Sequence, residues 1–160
     1  MPEYRAFFVT YFGITDELNT DVSIIPTCTT DTALRGVPIE IEALWDTGAT
    51  DSCMKPTLWE RLKLYPIESG RRQVAGIGGN VTADLTIVNL LLPPGLEIAG
   101  CPIYVTDFPG DAEILIGMDI IGLGDFAVCN TDNETSFSFA IPPFPDRINL
   151  ADKAEIANRL

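Results

Sequence analysis

The chain contains no histidine among its 160 residues. That absence removes Ser/His and Cys/His nucleophile pairs and every histidine-based metal motif at once. Cysteine is sparse: Cys28, Cys53, Cys101 and Cys129 stand far apart, with no C-x-x-C spacing. Isolated thiols of this kind read as buried residues in a reducing, cytoplasmic compartment. No cofactor and no metal is expected. Positive charge is also scarce, with 10 Lys and Arg against 23 Asp and Glu and a formal net charge of −13. Such an acidic surface repels nucleic acid and anionic membrane, so neither is expected as a partner. No apolar run approaches the ~20 residues of a spanning helix. The aromatic segment 6–12 is too short for a signal peptide and lacks a small-x-small cleavage site, so a β-strand is the better assignment.

What remains is a chain built for short strands. Apolar residues make up 46% of it, and 13 glycines and 12 prolines are spread along its length. That pattern suits an all-β fold of strands joined by turns, with one or two short helices. A single domain spanning 1–160 is expected, with a core over 22–141, an N-terminal strand or extension over 1–21 and a tail over 142–160.

The rest of the chain is organised around Ala43-Leu44-Trp45-Asp46-Thr47-Gly48-Ala49-Thr50. An apolar run of this kind is a buried strand, and Asp-Thr-Gly is the turn that ends it. A carboxylate is thereby placed at the tip of a rigid element, partly shielded from water. When two such carboxylates lie close together they share one proton, so one serves as general base and the other as general acid. The tripeptide alone is weak evidence, because roughly one chain in ten or twenty of this length carries Asp-[Ser/Thr]-Gly by chance. Its plain alternative is a surface turn in which Asp46 bonds its own backbone.

Two further elements narrow the choice. Residues 71–82 form a strand, a glycine-dense tip (Gly76-Ile77-Gly78-Gly79) and a returning strand, which is a hairpin. A phosphate cradle is disfavoured, since the Walker Lys-[Ser/Thr] is missing. Downstream, Ile114-Leu115-Ile116 is a buried strand broken by Gly117, and 118–122 can start a short helix. Other strands are expected at 4–12, 22–29, 37–45, 83–92, 103–106, 127–129 and 136–141. A polar loop is expected over 13–21, a turn around Gly100, a helix from Pro56 to Lys63, and helical spacing in the tail at Leu150, Ala154 and Ala157.

A strand into Asp-Thr-Gly, a glycine-tipped hairpin and a strand ending in Ile-Gly, in this order, resemble the single-domain, retropepsin-like aspartic proteases over roughly residues 22–141. The segments Gly117-Met118-Asp119-Ile120-Ile121 and Gly124-Asp125-Phe126 are similar to the bacterial branch. The resemblance implies a closed acid-protease-type barrel, a two-fold homodimer and an extended peptide or protein substrate. Asp46 from each subunit would form the dyad, Thr47 would bond across the axis, and Gly48 would offer its carbonyl to substrate. Ala49, Thr50 and Asp51 would flank the peptide, and Gly76, Ile77, Gly78 and Gly79 would cover it as a flap. Leu115, Ile116 and Gly117 would support the catalytic loop from below. Retroviral members commonly carry an Asp at the position of Thr50 and an Arg at that of Met118, an internal ion pair, and here both partners are absent together. That loss strands no charge, but it leaves open an alternative, a retropepsin-fold dimerisation or peptide-binding module without turnover.

Overall fold

The computed structural model describes residues 3–68, 70–76 and 79–159, and their side chains except those of 74–76. Among these residues there are ten strands and three short helices. The first half holds β1 (Arg5–Thr10), β2 (Asn19–Pro26), β3 (Ile39–Trp45), β4 (Cys53–Met54) and α1 (Pro56–Arg61). The middle holds β5 (Arg72–Gly76), β6 (Gly79–Leu92), β7 (Leu96–Val105), β8 (Ile114–Ile116) and α2 (Met118–Ile121). The chain ends with β9 (Asp125–Thr131), β10 (Glu134–Ile141) and α3 (Leu150–Ala157).

Strands β2, β3, β8, β4, β7 and β6 hydrogen-bond in that order, and β2 pairs back onto β6, which closes a six-stranded barrel. Closure removes the unpaired edges that an open sheet would present. In β3 the alternation expected of a half-buried strand is realised. Ile41, Ala43 and Trp45 point into the core, while Glu40 and Glu42 face solvent. Short β8 is buried throughout because it runs parallel beside β3 in the middle of the barrel wall. Strand β5 leaves the barrel as the outer arm of a hairpin on β6, in register from Arg72↔Ala83 to Gly76↔Gly79.

A second sheet, in the order β1-β10-β9, joins the two ends of the chain. Its inner face is aromatic. The ring of Trp45 lies 5.6 Å from Phe7, 5.9 Å from Phe126, 5.7 Å from Phe137 and 5.2 Å from Phe139. Each such ring pair contributes about 0.5–1.5 kcal/mol beyond simple burial. The Trp45 indole N–H, with its residue only 3% exposed, donates to the Thr20 hydroxyl at 2.9 Å. Trp45 is therefore the joint between barrel and sheet, and it stands one residue before Asp46.

Several elements differ from their sequence expectation: β7 starts at Leu96 rather than at 103, and the described residues hold three short helices rather than one or two. The segment 13–21 is not all loop, since β2 begins at Asn19, where Asn19 and Thr20 pair with Leu44 and Ala43 of β3. Polar residues were recruited into a strand by their neighbours. Gly100 is not a turn but a bulge inside β7. The register slips between Val88 and Leu90, Gly100 adopts φ +71°, and its N–H donates to the Asn89 side chain at 2.9 Å. Cys129 is exposed rather than buried, because it lies in the stretch Val128–Thr131 of edge strand β9 where both faces are open, and Cys28 is only half-buried.

Candidate active site

Asp46 is fixed by backbone before its side chain is considered. Parallel pairing sets Trp45 opposite Ile116, and the Asp46 N–H then donates to the Ile116 carbonyl at 2.9 Å. One Asp46 carboxylate oxygen (Oδ1) accepts the Gly48 N–H at 2.8 Å, and the Ala49 N–H returns to the Asp46 carbonyl at 3.2 Å. This is the compact Asx-type turn that Asp-x-Gly favours. A Cβ at Gly48 would stand 3.1 Å from Asp46 Oδ1, so the glycine lets the carboxylate fold over its own loop. Asp46 is half-buried, while Thr47 and Gly48 are exposed.

The loop after Asp46 rests on the start of α2. Met118 N–H donates to the Ala49 carbonyl at 2.8 Å, and Asp119 N–H donates to the Thr50 carbonyl at 3.1 Å. Gly117 is the point of closest approach. A Cβ there would fall 2.9 Å from the backbone C and O of Asp51 and 3.0 Å from the Ala49 carbonyl oxygen. Leu115 and Ile116 are buried directly beneath. The positions expected to support the loop thus sit under it, and only a residue without a side chain fits at the contact.

A cleft of about 580 Å³ opens beside this loop, walled by Asp46, Asp51, Cys53, Arg72, Phe108 and Leu115 among others. Gly48, Ala49 and Thr50 also line it, so the residues expected to flank a substrate lie together. Gly76 and Gly79 face one another at the far end of the β5–β6 hairpin; Ile77 and Gly78 lie outside the described residues. Cys53 borders the cleft as a buried thiol pushed up to about 12 by burial, with Asp119, Asp46 and Asp51 adding to the shift. A thiol held protonated in this way is no nucleophile.

Sequence reasoning assigned no role to Arg72, Phe108 or Ser52. The Arg72 guanidinium reaches from β5 to within 3.9 Å of the Asp51 carboxylate and donates to the Tyr104 hydroxyl at 3.5 Å. Nothing in the local sequence pairs residues from the hairpin with residues of the loop. Asp119 was visible as the residue after Ile-Gly-Met, but its partner, Ser52, is 67 positions away.

An Asp-Thr-Gly loop thus stands at the end of a buried strand, braced by a second strand that runs into a glycine, and its cleft is shared with Arg72 and Gln73 of the β5–β6 hairpin. Residues 30–120, more than half of the chain, match the family described as "Aspartyl protease", and the chain belongs to that family. Its fold is that of the retropepsin-like members. It is similar to the EIAV protease complexed with the inhibitor HBY-793, at 25% identity and a TM-score of 0.51 over 70% of this chain and 91% of that one. It also shares its fold with a retropepsin-like aspartic protease from Rickettsia conorii, at 11% identity and a TM-score of 0.52 over 88% of this chain and 97% of that one. No curated protein sequence matches the chain significantly.

Proposed function

We propose that the chain is an aspartic endopeptidase, active as a two-fold homodimer in which each subunit contributes Asp46. The observation that carries this is the half-site itself. One chain supplies one Asp46 carboxylate to a cleft, on a loop whose Thr47 and Gly48 are exposed. A second copy related by a two-fold axis would present the same loop and complete the dyad.

Two carboxylates in contact hold one proton between them. The ionised one takes a proton from water as the water oxygen attacks the peptide carbonyl carbon. The protonated one gives its proton to the carbonyl oxygen. In the collapse of the resulting diol one hydroxyl returns its proton to the carboxylate that had given one, the C–N bond breaks, and the departing nitrogen takes the proton that water lost, which leaves the dyad with one proton as before. Thr47 would tie the two loops across the axis, and Gly48, without a side chain, would present its carbonyl to the substrate backbone. Ala49, Thr50 and Asp51 would line the bound peptide. The hairpin bearing Gly76, Ile77, Gly78 and Gly79 would close over it and exclude water, which strengthens every electrostatic interaction beneath. An extended peptide fits by strand addition, with alternate side chains in pockets. Residues 1–160 act as one domain, and four unpaired thiols suit a cytoplasmic setting.

Peptide-library cleavage by wild type and Asp46→Asn, from pH ~3 to 8, where an acid dyad can hold one proton, tests this. Cleavage is expected to vanish in the variant, and equal activity in both would falsify the proposal. One observation favours a second function, a peptide-binding module without turnover: Thr50 and Met118 are both exposed and carry no ion pair. That function requires peptide binding that survives Asp46→Asn with no cleavage at any pH.

A further inference from the structure

The loop that carries Asp46 is held by one side-chain clasp that lies outside the cleft lining. Ser52 is fully buried, and both of its donors go to Asp119. Its hydroxyl donates to Asp119 Oδ1 at 2.6 Å and its N–H to Oδ2 at 3.1 Å. The Ser52 oxygen in turn accepts the Gly117 N–H at 3.0 Å, and Oδ1 also accepts the Ile120 N–H at 3.0 Å. The Asp119 N–H completes the contact by donating to the Thr50 carbonyl at 3.1 Å. Three neutral donors therefore hold one carboxylate, and that carboxylate ties the end of the loop to the strand–helix junction beneath it. Charge-assisted hydrogen bonds are about twice as strong as neutral ones. Removing the acceptor would strand a buried hydroxyl and amide, which costs more than the bond contributed.

We infer that Asp119 is the positioning residue of the candidate catalytic loop: by clasping Ser52 it fixes the loop 46–52, and with it the place where Asp46 must meet its mate. The clasp does here, with neutral donors, the bracing that an internal ion pair at positions 50 and 118 would otherwise supply. Its effect on turnover rests on the proposed protease activity; its effect on the loop does not. Asp119 lies outside the lining of the 580 Å³ cleft, on a smaller pocket of about 360 Å³ that meets it at Asp51 and Arg72, and its carboxylate is taken up by the loop, so its removal is expected to act on turnover more than on substrate affinity. Sub-ångström misplacement of a reacting group lowers rates by about 10- to 100-fold.

Asp119→Asn, Asp119→Ala and Ser52→Ala, measured in the full chain, test the inference by two independent readouts. In hydrogen exchange, the Ala49 and Ser52 amides are expected to exchange at least about tenfold faster in Asp119→Ala, with the β6–β7 amides unchanged. In peptide cleavage, kcat is expected to fall about 10- to 100-fold with KM within about twofold. Asp119→Asn, which keeps an acceptor for the Ser52 hydroxyl, should recover part of the loss. Asp119→Ala with Ser52→Ala should cost little more than either alone. Wild-type exchange in the loop of Asp119→Ala overturns the inference. So does faster exchange that spreads equally through β6 and β7, the mark of a general support of the fold. If wild type cleaves nothing, or Asp46→Asn cleaves as well as wild type, the protease proposal fails, and the exchange data still decide the role of Asp119.

Discussion

Replacing Gly117 by alanine adds one methyl group at the tightest contact beneath the candidate catalytic loop. The backbone at Gly117, φ −95° and ψ −172°, is extended and suits any residue, so the substitution introduces no torsional strain of its own. Its cost is collision. The new Cβ would lie 2.9 Å from Asp51 C and O and 3.0 Å from Ala49 O, whereas ordinary contacts begin near 3.4 Å. All three obstacles are backbone, so none can rotate aside, and the loop must lift by about 0.5 Å. Lifting it stretches the bonds Met118 N–H to Ala49 O (2.8 Å) and Asp119 N–H to Thr50 O (3.1 Å). Overpacking of this kind costs about 1–3 kcal/mol, which lowers Tm by roughly 5 °C in a chain this size. The displaced loop carries Asp46, so kcat/KM is expected to fall more steeply, on the order of 100-fold. Thermal melting followed by circular dichroism, with cleavage kinetics on the same preparations, separates the two effects. A folded Gly117→Ala protein with wild-type Tm and wild-type kinetics would refute the steric reasoning.

Other expectations follow from the same geometry. Phe7 packs its ring on Trp45, Phe137 and Phe139 and is 9% exposed, so Phe7→Ala should cost about 3–5 kcal/mol and lower Tm by roughly 10 °C; a drop under ~2 °C would show that β1 is dispensable. Cys53 ionises near 9 when unfolded but is held up to about 12 in the fold, so the unfolded state releases its proton first as pH rises. Stability is therefore complete below pH 9 and declines between 9 and about 12, by up to about 1.4 kcal/mol per pH unit for this thiol. Denaturant melts of wild type and Cys53→Ala across that range should diverge, and parallel curves would contradict the shift. At neutral pH an aromatic disulfide reagent should modify exposed Cys129 first and leave Cys53 and Cys101 untouched until unfolding; early loss of either buried thiol would show the core to be more open than described.

The elements that were legible in the sequence are those whose signal is local. The run into Asp46 announced a buried strand ending in a turn, and the break at Gly117 announced the end of another. Strand alternation in 136–141 marked the inner face of β10 with Phe137 and Phe139. What stayed hidden depends on pairing across the chain. Asn19 and Thr20 look like loop until β3 lies beside them, and Gly100 looks like a turn until Asn89 opposite it takes the bulge N–H. The sheet that joins Arg5 to Ile141 unites the two ends of the chain, which no window of neighbouring residues contains. In the same way Ser52 and Asp119 carry no mutual signal, since a buried serine and an exposed aspartate are each unremarkable alone.

The pairing of two Asp46 carboxylates is tested most directly by titrating Asp46→Asn protein into a fixed, limiting amount of wild type while peptide cleavage is followed. If each active site needs one Asp46 from each of two chains, wild-type activity alone should rise faster than linearly with protein concentration. Added variant should then suppress it by capturing wild-type chains in dead heterodimers. Cleavage that is linear in wild-type concentration and indifferent to the variant would contradict a shared site, and undiminished cleavage by Asp46→Asn alone would remove Asp46 from the chemistry altogether.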